Sequence, residues 1–213
     1  MPQFTLPYPT GLDWYIQKLQ GRLYNYFKIY WNVADNTRWN CFGRGYRNYS
    51  EDEKGYILEF FNPSDTNTTN NYVGSSGVNS GAVFYDDNFD IVSVFALGDP
   101  EKKNDIRDDV ANVRLLFFMN LANLTPGGIP LDQQGGQRLD EVVVNDVKNF
   151  MLCNGCGFTI TNTYRDIDKV LQDYSGSVKK LALLDNMHPK FCFRLDLTIP
   201  YNPFQNVSKY SKN

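Results

Sequence analysis

The sequence predicts an α+β fold: an N-terminal helix, a mostly antiparallel central sheet, two helices packed on one face, and a C-terminal strand. Three observations carry that prediction. Residues 11–31 repeat apolar side chains at three- and four-residue steps, the helical period. Residues 190–201 (KFCFRLDLTIPY) alternate apolar and polar, the period of a half-buried strand. Between them, strands are not followed one by one by helices, so no βαβ series arises, and no internal repeat is present.

The elements follow in order. Leu12, Ile16, Leu19, Leu23, Tyr26, Phe27 and Tyr30 form the stripe of the first helix, with Thr10 or Asp13 as its cap and Pro9 just outside. Gly21 costs this helix about 1 kcal/mol relative to alanine. Short strands are predicted at 38–42 and 55–61, where β-favouring residues lie between turn signals. Residues 62–81 are rich in Asn, Thr, Ser and Gly and read as a long exposed loop or loose hairpin. Residues 82–86 and 90–97 read as a hairpin or two successive strands, the second at least partly buried on both faces. After a charged turn, 110–120 (VANVRLLFFMN) reads as a buried strand, a helix being equally compatible with its apolar periodicity, and the Gly- and Pro-rich 125–136 reads as a loop.

Residues 138–152 form a helix with Leu139, Val142, Val143, Val147, Phe150 and Met151 inward. A short strand or link at 158–161 precedes a predicted helix over 163–174, capped by Asn162 or Thr163, with Ile167, Val170, Leu171 and Tyr174 inward. In the closing strand Phe191, Phe193, Leu195, Leu197 and Ile199 face one way, and Cys192, Arg194, Asp196 and Thr198 the other. The whole chain, 1–213, is expected to form a single domain with a polar insertion at about 62–81 and an extended tail from about 202.

The composition narrows the function. A single histidine, His188, leaves little imidazole for acid–base or metal chemistry. Aromatic residues make up 15% of the chain, which favours surfaces that pack on other surfaces. A net charge of −3 argues against electrostatic capture of nucleic acid. The arginines of 38–47, set among Trp39, Phe42 and Tyr46, read as structural stacking on aromatic rings. No apolar run approaches the ~18 residues of a membrane-spanning helix, and residues 1–9 lack the basic and apolar regions of a signal peptide. Synthesis in a cytoplasm is expected.

Chemical motifs are sparse. Cys153 and Cys156 form a C-x-x-C placed after a predicted helix, at the end whose dipole disfavours a thiolate. A zinc site would need Cys41, Cys192 or His188 as further ligands, at spacings that match no finger or ribbon. Asp86, Asp87 and Asp90, and again Asp105, Asp108 and Asp109, cluster without an EF-hand pattern and read as turn and edge residues. Gly43 and Gly45 give a lone G-x-G, and no phosphate loop or nucleophile elbow occurs. No catalytic residue, metal ligand or cofactor is expected, and the chain reads as a non-enzyme.

The opening helix GLDWYIQKLQGRLYNYF, the central strands, the helix pair RLDEVVVNDVKNFML and NTYRDIDKVLQDY, and the closing strand FCFRLDLTIPY resemble the tail-terminator and neck (ring or connector) proteins of tailed double-stranded DNA bacteriophages. The many Asn and Tyr residues make the chain look more like the neck proteins of crAss-like short-tailed phages. The resemblance covers 11–201 and carries over no individual functional residue. It implies a virion protein, made in the host cytoplasm, that forms a ring in the neck or tail. Its partners would be copies of itself and other neck, portal or tail proteins, with DNA passing through the lumen without specific binding and no membrane contact. Residues 62–81 and the tail would then reach adjacent subunits, making Tyr72, Val73, Val78, Tyr201, Phe204 and Tyr210 candidate interface residues. The rival reading is a carbohydrate-binding or adhesion module with aromatic platforms and Asn- and Asp-rich loops.

Overall fold

The computed structural model describes residues 2–3, 6, 8–31, 39–50, 55–61, 72–74, 90–97, 109–121, 124, 139–153, 157–172, 174 and 190–205. The statements below concern these residues. In chain order the elements are β1 (Pro2–Gln3), α1 (Gly11–Tyr30), β2 (Trp39–Ser50), β3 (Gly55–Phe61), β4 (Tyr72–Gly74), β5 (Ile91–Leu97), β6 (Asp109–Asn120), α2 (Leu139–Cys153), β7 (Thr159–Tyr164), α3 (Ile167–Val170) and β8 (Lys190–Tyr201). The α+β class, the N-terminal helix and the C-terminal strand all match the sequence reading.

The strands form one mixed sheet in the order β4-β3-β2-β5-β6-β8-β7, with β1 added beside β2. The β1–β2 and β2–β5 pairs are parallel and the remaining pairs antiparallel. The longest ladder joins β6 to β8, running without a break from Asp109↔Tyr201 to Asn120↔Lys190. Because the side-chain period is 2, this register sends every odd-numbered residue of β5, β6 and β8 to one face and every even-numbered one to the other.

The odd face carries the main core. Leu12, Ile16, Leu19, Leu23 and Phe27 of α1 are buried on it, and so are Val143, Val144, Val147 and Met151 of α2. They close over Ile91, Phe95, Leu115, Phe117, Phe193 and Leu195. Phe117 and Phe193, opposite each other in the ladder, stack with ring centroids 4.7 Å apart. In α2 the buried stripe takes Val144, whereas Val142 is only half-buried. In α1 it takes the amide of Gln20, which donates to the Cys41 carbonyl at 2.5 Å. That bond lets a polar side chain sit in the core and ties α1 to β2.

Three expectations are corrected. The strand predicted at 38–42 continues to Ser50, because pairing with β5 and β3 carries the backbone past Gly43 and Gly45. Both glycines are buried, and the β2–β5 register shifts between Cys41 and Arg44, the kind of irregularity where strand glycines occur. The helix predicted over 163–174 is a single turn, Ile167–Val170. Thr163 and Tyr164 pair instead with Leu195 and Arg194 of β8, as suits a β-branched and an aromatic residue. The cap is Asp166, whose carboxylate accepts from the Asp168 amide at 3.0 Å. Finally, α3 is not on the face that α1 and α2 share. Val170, Leu171 and Tyr174 are buried on the even face against Val92, Val94, Leu116, Phe118 and Cys192. The strand predicted at 82–86, the loop at 125–136 and the charged turn at 98–109, apart from Asp109 at the start of β6, lie outside the described residues.

Candidate functional site

Arg194 is the polar centre of the even face. Its place in an alternating strand predicts an exposed side chain, yet only 2% of the residue is accessible. The segment after β7 explains the burial. Nη1 donates to the carbonyl oxygens of Lys169 and Val170, at 2.8 and 3.2 Å. These are C-terminal carbonyls of a short helix, which lack partners within it. Nε lies 2.9 Å from Asp196 Oδ1 in an ion pair, and Nη2 donates to Oδ2 at 3.4 Å. The guanidinium also sits over the Tyr164 ring, 4.4 Å from its centroid. A buried charge requires such pairing. The cluster therefore holds α3 and β7 against β8.

Beyond α3 the even face turns polar. Asn112 and Arg114 of β6 are half-buried, as are Asp196 and Thr198 of β8, and Asn162 of β7 is exposed. Thr198 Oγ1 donates to Asn112 Oδ1 at 3.3 Å, and Arg114 stands directly opposite Asp196 in the ladder. Their neighbours Val113, Leu197 and Ile199 are buried on the odd face, so here the sheet is covered on one side and wet on the other. At the end of this face β7 forms the edge of the sheet. It shifts register between Ile160 and Asn162, and Thr161 Oγ1 donates to the Asp196 carbonyl at 3.1 Å.

A second feature lies where α1 meets α2. The Tyr26 hydroxyl and the Trp31 indole N–H both donate to Asp146, at 2.7 and 2.6 Å. Tyr26 stacks on Phe150 at 4.2 Å and leans on Tyr30 at 4.9 Å. Burial, then the hydrogen bond and charge of Asp146, push the Tyr26 phenol well above its ordinary range. Ile29, Tyr30 and Leu152 are exposed on these two helices, Tyr30 by 56%.

The candidate interface residues separate. Tyr72 and Val73 are in β4, at the opposite edge of the sheet from β7, paired with Phe61 and Phe60. Tyr201 belongs to this chain's own core at 6% exposure, because β8 continues to it opposite Asp109 and turns it to the odd face. Phe204 is 76% exposed, on a turn in which Asn202 Oδ1 accepts from the Phe204 amide at 2.8 Å. That turn meets the start of α1, where the Gly11 amide donates to the Gln205 carbonyl at 3.2 Å. Val78 and Tyr210 lie outside the described residues.

Other sequence candidates resolve similarly. Cys153 is the exposed last residue of α2, while Cys156, His188, Asp86, Asp87, Asp105 and Asp108 lie outside the described residues. Cys41 is buried with the odd-face core and Cys192 on the even face, so the sheet itself separates them. Burial pushes both thiols up to about 12, for Cys192 with help from the Asp166 charge. Among the described residues no group of His, Cys, Asp and Glu side chains is placed to hold a metal ion. Arg44 forms an ion pair with Asp13 at 3.2 Å, a link between β2 and α1. Among the described residues no helix is long and apolar enough to cross a membrane.

Sequence reasoning missed Gln20, Asp146 and the burial of Arg194. A single polar residue inside an apolar helical stripe was the available signal for Gln20. The other two depend on which element comes to lie above them. No protein-family model, curated protein or solved structure matches this chain.

Proposed function

We propose that this chain is a structural assembly subunit that forms a ring in the neck or tail of a tailed bacteriophage. It would join portal or adaptor to tail and let DNA pass without specific binding. The observation that carries the assembly reading is the large apolar side chains exposed among the described residues: Tyr8, Ile29, Tyr30, Leu152 and Phe204. Side chains of this kind supply the aromatic and aliphatic anchors of protein–protein contacts. The resemblance of the element series to neck and tail-terminator proteins supplies the virion context, and the net charge of −3 suits a lumen that does not retain DNA.

Light scattering and negative-stain microscopy of the purified chain, alone and with portal and tail proteins, test this reading. The expected result is a closed ring of discrete mass that fails to bind duplex DNA at physiological salt. A monomer at every concentration and with every partner overturns it. The carbohydrate-binding alternative draws on the exposed Tyr30 beside Tyr26 and Phe150. Saturable binding of one glycan class to a monomer, lost in Tyr30→Ala, would favour it.

A further inference from the structure

We draw no further inference here: the strongest candidate, the exposed apolar side chains Ile29 and Tyr30 at the end of α1 and Leu152 at the end of α2, on the two helices joined by the Tyr26–Phe150 stack, carries nothing because nothing in the structure shows what covers them.

Discussion

The Trp31 indole donates to Asp146 across 2.6 Å and thereby ties the end of α1 to the middle of α2. The Tyr26 hydroxyl reaches the other oxygen of the same carboxylate. Both helices lie over the odd face of the sheet, so this one side chain sets how they meet above the core. Asp146→Ala strands two donors in a partly buried seam. The expected loss is about 2–3 kcal/mol, since bonds to a charged acceptor contribute roughly 1.5–3 kcal/mol each and are not additive. Asp146→Asn keeps an acceptor and is expected to lose less. Urea unfolding of the three proteins measures the order.

On the other face, Arg194 and Asp196 form a pair whose members need each other. Asp196→Ala leaves a nearly buried guanidinium without its counter-charge, held by the Lys169 and Val170 carbonyls and the Tyr164 ring, and is expected to destabilise by about 2–4 kcal/mol. The double replacement Arg194→Met with Asp196→Leu is expected to cost less than the two single changes added together, because no charge is left behind. A double-mutant cycle by chemical unfolding checks this.

Alkaline pH is expected to weaken the fold through its thiols. Cys41 and Cys192 are raised from 9.0 to about 12 by burial. A raised acid holds its proton in the folded chain and releases it sooner in the unfolded one. Its contribution is therefore complete below about pH 9 and is lost as pH climbs toward about 12. By about pH 11 the loss is on the order of 2–3 kcal/mol per thiol. Tyr26, also raised, adds to the decline above about pH 10. The urea midpoint of a Cys41→Ala/Cys192→Ala variant is expected to fall less between about pH 8 and about pH 11 than that of the unaltered chain.

Two glycines of α1 are expected to respond in opposite directions to alanine. Gly21 has open space where a Cβ would stand, so Gly21→Ala is expected to stabilise by about 1 kcal/mol. Gly11 has φ +50, and a Cβ there would lie 3.2 Å from the Pro203 carbonyl oxygen. Gly11→Ala is expected to destabilise by about 1–2 kcal/mol and to loosen the turn bearing Phe204. Thermal unfolding of both variants tests the pair.

The legible parts of the chain are those whose period is sustained. Five turns of apolar spacing place α1 within a residue of its observed bounds, and the alternation of β8 matches residue for residue. β7 was hard to read because Thr163 and Tyr164 can continue either a strand or a helix, and the choice is made by the backbone of β8 beside them. β2 was hard to read because its glycines signal a break that the neighbouring strands override. Of the candidate interface, Tyr72 and Val73 reach a sheet edge, whereas Tyr201 is drawn into the core by one further step of the β8 alternation.

Local periodicity was enough to establish the class, the two long helices and the apolar face of β8, since it reflects bonds and side-chain directions within a few residues. It could not establish the strand order, the placement of α3 opposite α1 and α2, the burial of Arg194 or which strands end the sheet. Those follow from pairings between residues far apart in the chain. Whether a side chain is core, latch or edge depends on what the rest of the fold lays beside it.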